Sequence, residues 1–128
     1  MTVVETIGPL VRTPDRLQLF AFSAATWNTH RIHTDPGYAA SEGYPDVLVQ
    51  SHLHAAFVMR ALRDAVAPEG GRVIGFGWQN RHLAVAGDTL TCDGRKVRED
   101  GSQVTYELQE RNAEGVVCVT ATATVSYA

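Results

Sequence analysis

Cysteines, basic clusters and uninterrupted apolar runs are all scarce in this chain, and each shortage closes off a class of function. The two cysteines, Cys92 and Cys118, stand far apart without metal-ligand spacing. Neither a disulfide framework nor a cysteine-held metal is expected, and both read as small hydrophobes in strands. Eleven Lys and Arg against fourteen Asp and Glu leave a formal net charge of -3, with the cations scattered rather than gathered in a stripe. That balance argues against nucleic acid as a partner. The longest apolar run is broken by Arg60, Arg63 and Asp64, and the opening residues Met1-Thr-Val-Val-Glu-Thr6 show no basic leader followed by an apolar core. The expectation is a soluble, cytoplasmic protein with no membrane span. At 128 residues and 45% hydrophobic, the chain suffices for one core and is short for two, so residues 1–128 are expected to form a single domain.

What is present falls into two textures. Residues 1–15 are an entry segment, broken by Gly8-Pro9 and Pro14, that suits an edge or a loop. Leu17-Gln-Leu-Phe-Ala-Phe22 reads as a short strand, after which Ser23 can cap one or two helical turns that deliver Asn28 to their end. Asp35 to Gly43 predicts a second short helix, with Asp35 as its cap, Pro36 at its first position and Gly43 ending it. Tyr44 to Gln50 is a loop and brief extended piece. Residues 51–67 predict a long helix that starts at a Ser51 cap and stops at Pro68 and Gly70-Gly71. Leu53, Ala56, Phe57, Met59, Ala61, Leu62, Ala65 and Val66 leave it few positions for water. From Gly71 onward the pattern alternates with turn signals, predicting antiparallel strands at 72–82, 89–98, 103–111 and 116–127. In the last, Val117, Val119, Ala121, Ala123 and Val125 give one apolar face. One long buried helix followed by a four-stranded meander, joined by an earlier strand, implies an α+β domain in which an antiparallel sheet curls round the helix.

Chemistry gathers in Asn28-Thr-His-Arg-Ile-His-Thr-Asp35. This run resembles the signature of the MaoC-like, (R)-specific enoyl-thioester hydratases and dehydratases of the hot-dog fold, most often Asp-x-Asn-Pro-x-His-x-Asp. It is more similar still to a branch that includes itaconyl- and mesaconyl-CoA hydratases and mitochondrial 3-hydroxyacyl-thioester dehydratases, whose signature reads near Asn-x-His-Arg-Ile-His-Tyr-Asp. Gly43-Tyr-Pro-Asp-Val-Leu-Val49 resembles that branch's next segment, and Gly87-Asp88-Thr89-Leu90 the Gly-Asp that opens the following strand. The resemblance covers residues 17 to 125. It implies a hydro-lyase that reversibly adds water to a 2-enoyl thioester, carried on CoA or acyl carrier protein, to give a 3-hydroxyacyl thioester.

Such a reaction needs a base for water, an orienting partner, and donors for the oxygen that gains charge in the enolate. His33 can be the base, since a neutral imidazole titrates near the working pH, and the resemblance puts it on the family's catalytic histidine. Asn28 falls where the commoner signature has an aspartate. An amide can hold water or substrate but cannot take up a proton, so His33 must carry the proton traffic alone or share it with another group. His30 can orient the water or stack in the loop. The resemblance places the oxyanion donor at the start of the long helix, where unpaired N–H groups and the helix dipole favour negative charge. The family usually has glycine there. This chain has Gln50-Ser51-His52-Leu53, so the Ser51 amide is the expected donor and a side chain stands where glycine leaves space. Trp78 can wall an acyl pocket, and Arg81 can meet a phosphate of the carrier or solvent. Asp35 reads as a helix cap rather than an acid. His30, His33, His52 and His54 could be taken together as a metal cluster, but no HExxH-like pair supports that, and neither metal nor redox cofactor is expected.

Hot-dog subunits commonly pair edge to edge, and one copy leaves an open sheet edge for a partner. A homodimer and a heteromer with a second hot-dog subunit are both expected possibilities. Two other functions share the fold. One is an acyl-CoA thioesterase, which a carboxylate near the start of the long helix would favour and which Ser51-His52 does not offer. The other is a non-catalytic subunit of a heteromeric hydratase, motivated by the Gln50-Ser51 departure.

Overall fold

A computed structural model describes residues 2–128. Strand β1 (Thr6–Arg12) leads into helix α1 (Arg16–Thr26), a 3₁₀ turn at Arg31–His33, and the short helix α2 (Pro36–Ser41). The long helix α3 (Ser51–Val66) follows, then β2 (Arg72–Asn80), β3 (Leu90–Asp100), β4 (Gln103–Arg111) and β5 (Val117–Ser126). The strands form one antiparallel sheet in the order β1-β3-β4-β5-β2. The four strands after α3 run close to the expected bounds, and the earlier strand that joins them is β1, within the entry segment. Its register slips between Ile7 and Leu10, where Gly8-Pro9 interrupts the ladder.

The core lies between α3 and the sheet. Leu53, Phe57, Val58, Ala61, Leu62 and Val66 recur at helical spacing and are buried. They face Val104, Tyr106 and Leu108 of β4 and Val119, Ala121, Ala123 and Val125 of β5, alternate residues of each strand. Burying Leu62 completely contributes about 2 kcal/mol. Cys92 and Cys118 are free, buried strand residues, as their isolation in sequence predicts. The helix is less enclosed than its composition suggests. His52, Ala56, Arg60, Arg63 and Asp64 are exposed on one side, with Arg60 and Asp64 paired at 2.9 Å.

Three local expectations are corrected. Leu17–Phe22 is part of α1, not a strand. The Asp15 side chain accepts from the Gln18 amide at 2.8 Å and starts the helix. Leu19 and Ser23, one turn apart, are its buried positions, while Leu17 and Phe20 are exposed. Ser23 therefore sits inside the helix rather than capping it. At α3 the cap position is Gln50 and Ser51 is the first helical residue. By contrast α2 follows its signals: the Asp35 carboxylate accepts from the Tyr38 amide, Pro36 opens the helix, and Gly43 takes a positive φ just beyond its end.

Candidate active site

The segment 28–35 is delivered by the end of α1. Trp27 ends that helix in the left-handed conformation, φ 59°, which is costly for a bulky side chain. The turn is held by the Asn28 amide, which donates to the Ser23 carbonyl at 3.0 Å. Asn28 is half-buried directly after it. The 3₁₀ turn Arg31–His33 is then clamped by one residue of the next loop. The Leu48 amide donates to the Ile32 carbonyl, and the Leu48 carbonyl accepts from His33 Nδ1, both at 2.8 Å. Leu48 is fixed in turn by a bridge to Val85.

This clamp decides the chemistry of His33. A carbonyl only accepts, so Nδ1 carries the proton and the neutral ring presents an unprotonated Nε2, the form a base needs. Nε2 has no partner among the described residues. Partial burial lowers the His33 pKa below 6.5, opposed by the bond to Leu48, with nearby His30 adding to the lowering. Neutral pH therefore finds the ring neutral.

His30 stands beside it, ring centres 6.4 Å apart and edge-on, and 5.9 Å from Tyr38. Its Nδ1 accepts from the Ile32 amide at 3.1 Å, so a neutral His30 presents Nε2–H as a donor. Arg31 pairs with Asp35 at 2.9 Å and covers the Tyr38 ring at 4.6 Å. Asp35 is engaged as cap and ion-pair partner, and its pKa is lowered first by the Arg31 hydrogen bond and then by the Tyr38 amide.

At the start of α3 the Ser51 and His52 amides have no intrahelical acceptor. The Ser51 hydroxyl is turned away to the end of β2, where it accepts from Trp78 Nε1 at 3.2 Å and from Asn80 Nδ2. Trp78 also packs against the His52 ring, centres 5.2 Å apart. Gln50 is completely buried. Its Nε2 donates to the Leu19 carbonyl at 2.7 Å and to Ser23 Oγ at 2.9 Å, tying α3 to the helix that carries Asn28. Its side chain is thus a strut between helices, and its Oε1 is buried without a partner.

A cleft of about 360 Å³ opens beside Ser51, lined in part by His54, Asn80, Arg81 and His82. Arg81 is exposed, with Nε donating to Thr120 Oγ1 at 3.1 Å and the rest of its guanidinium facing outward. His33 is not among the lining residues. It is held by Leu48, one residue before Val49, which lines the cleft.

Two features are absent from the sequence reading. Asn80 grips Ser51 from the strand end, a contact that only the fold creates. His54 is buried, and its Nδ1 meets the carboxylate of Glu110, which no solvent reaches. The second feature had a signal: Val104, Tyr106, Leu108 and Glu110 share one face of β4, and a carboxylate on an apolar face needs a partner. Among the described residues no group of three or more His, Cys, Asp or Glu side chains is placed to hold a metal, and no helix is long and apolar enough to cross a membrane.

Residues 6–86 match the profile of the family described as hydroxyacyl-thioester dehydratase type 2. Mesaconyl-C(4)-CoA hydratase of Chloroflexus aurantiacus is 39% identical over 69 residues, which are 53% of this chain and 24% of that protein. The chain thus matches about a quarter of that relative's length. Among solved structures, the ChsH1-ChsH2 complex of Mycobacterium tuberculosis contains a chain 26% identical, covered to 98% on both sides, with a TM-score of 0.87. The (R)-hydratase of A. caviae involved in PHA biosynthesis superposes with a TM-score of 0.88 over 99% of this chain and 98% of its own, at 22% identity. These likenesses agree with the hot-dog architecture expected from the sequence.

Proposed function

The chain belongs to the hydroxyacyl-thioester dehydratase type 2 family, and from that premise we propose that it reversibly adds water to a 2-enoyl thioester, giving the 3-hydroxyacyl thioester. The observation that carries this reading is the His33 imidazole, with Nδ1–H committed to the Leu48 carbonyl and Nε2 unengaged. In hydration Nε2 takes a proton from water as its oxygen attacks C3. The electron pair of the double bond moves toward the thioester oxygen, where the Ser51 amide at the positive end of α3 stabilises the growing charge. Asn28 orients the water or the substrate, and His30 offers a second donor beside His33.

The proton that His33 removes is matched by one delivered to C2 as the enolate collapses, so the reaction balances with water alone and calls for no redox cofactor. The thioester, on CoA or an acyl carrier, is the substrate. Arg81, which lines the cleft, suits a phosphate of that carrier, and Trp78, whose Nε1 donates to the Ser51 hydroxyl, suits a wall for the acyl chain. The open edge of β2, with Ile74 exposed, and the exposed Leu17, Phe20 and Trp27 of the α1 segment suit pairing with a second hot-dog subunit, identical or not.

The test is loss of the ultraviolet absorbance of the conjugated thioester when the protein meets a panel of enoyl-CoAs, with His33→Ala alongside. The expected result is turnover by the wild type and a fall of about a hundredfold or more in the variant. Equal turnover by both proteins removes His33 from the mechanism. No turnover by either removes the hydratase reading for the isolated chain.

A further inference from the structure

We propose that His54, held by Glu110, is a second catalytic proton carrier that serves C2 of the substrate while His33 serves C3. The inference rests on the hydration reading above and supplies what Asn28 cannot, since an amide neither takes nor gives a proton at working pH. His54 lies in the first turn of α3, three residues after Ser51 and so on the same face of the helix. Its Nδ1 is engaged by Glu110. Among the described residues its Nε2 has no partner, and it is not one of the unpartnered side-chain atoms sealed from solvent, as Gln50 Oε1 is. The ring lines the cleft that also exposes Ser51.

The inference assigns the thioester oxygen to the Ser51 amide, C2 to His54 one turn along α3 in the same cleft, and C3 to His33, held by Leu48 three residues before Ser51. Leu48 and Ser51 are three residues apart, a span of at most about 11 Å.

In hydration His33 Nε2 gains the water proton as the C3–O bond forms and the C2–C3 double bond becomes an enolate. The enolate collapses and C2 takes the proton from His54 Nε2, while Nδ1 stays held by the Glu110 carboxylate. Each histidine then exchanges its proton with solvent. In dehydration the same transfers run backward. Cys92 of β3 donates its thiol to Glu110 Oε2, and burial pushes the Cys92 pKa up, so it stays neutral. Arg81 and His82 stand across the cleft. Glu110 is the carboxylate bonded to the ring and acts as a positioning residue.

The deciding experiment is the separate measurement of kcat and KM of hydration for wild type, His54→Asn and Glu110→Gln. Asparagine keeps a donor near the Nδ1 position but has no titrating Nε2. We expect His54→Asn to fold and to lose about a hundredfold in kcat with KM changed less than about threefold. Glu110→Gln still accepts from Nδ1–H but withdraws the charge opposite it, so kcat should fall by about tenfold with KM held within about threefold. Should His54→Asn fail to fold, Glu110→Gln decides alone. A wild type that hydrates enoyl-CoA, with variants that keep its kcat, overturns this inference and leaves the hydratase reading standing. A wild type without turnover overturns both.

Discussion

Replacing Gln50 by glutamate changes one atom of a side chain that no solvent reaches, and the structure gives the size of the effect. Gln50 Nε2 makes two hydrogen bonds, to the Leu19 carbonyl at 2.7 Å and to Ser23 Oγ at 2.9 Å. In Gln50→Glu an oxygen faces the Leu19 carbonyl, and that bond cannot form. The Ser23 hydroxyl can reverse and donate, so one of the two contacts survives. The lost bond costs about 1 kcal/mol. Burying a carboxylate without a countercharge adds about 3 kcal/mol or more. About 2.1 cal/mol/K of unfolding entropy per residue over the 128 residues makes a 4 kcal/mol loss a fall of about 15 °C in Tm.

The sign with pH follows from burial. The introduced carboxyl has its folded pKa raised above the usual value of about 4.3, so the penalty is absent below that value and grows as pH rises through the folded pKa. Melting by circular dichroism at about pH 4 and pH 7.5, each against the wild type at the same pH, should show a small gap at the acid end and the full gap at neutral pH. A neutral-pH difference of less than about 3 °C refutes the buried-donor account of Gln50. So does a gap of equal size at both pH values. Because Gln50 also braces the helix that carries Asn28, kcat should fall in the folded fraction.

The pH dependence of kcat/KM should show an acidic limb from His33, lost as pH falls through a folded pKa below 6.5, because the imidazolium cannot accept a proton. A limb centred above 6.5 contradicts burial as the dominant influence. Gly94→Ala should cost about 2 kcal/mol in chemical denaturation, since a Cβ there meets the Glu107 carbonyl at 2.6 Å and Leu108 Cγ at 2.9 Å across the β3–β4 ladder. A neutral result means that the two strands sit farther apart. Tyr106→Phe breaks a closed set of bonds in which the Val4 amide donates to Tyr127, Tyr127 to Tyr106, and Tyr106 to the Val4 carbonyl. It should cost about 2 kcal/mol and speed proteolysis ahead of β1.

The strands after α3 were legible because alternation and the turns at Gly87-Asp88, Asp100-Gly101 and Glu114-Gly115 both mark them. Helix α2 was legible because Asp35, Pro36 and Gly43 each have a distinct backbone reason for their place. Helix α1 replaces the strand expected at 17–22 because Leu17, Leu19, Phe20 and Phe22 satisfy a strand and a helix about equally over six residues. Its true phase is set by burial of Leu19 and Ser23, which depends on Gln50 from another element. The same contact explains the start of α3: local preference favours Ser51 as the cap, while the buried bonds of Gln50 fix the cap position one residue earlier.

At the site, the loop holding Asn28, His30 and His33 was visible as a signature, but the tautomer of His33 depends on the Leu48 carbonyl, a backbone group with no sequence mark. Trp78 and Ser51, 27 residues apart, meet only because β2 returns beside the start of α3. Glu110 shows where a close reading of alternation finds more than a motif does: one carboxylate on an apolar strand face led to His54.

The most direct measurement is mass spectrometry of an enoyl-CoA incubated with this chain in oxygen-labelled water. The account predicts an intact thioester heavier by one water, with the label retained in the acyl chain at C3. Free CoA thiol and a carboxylic acid labelled at the carboxyl group would show attack on the carbonyl instead, and would contradict the hydration mechanism built on His33.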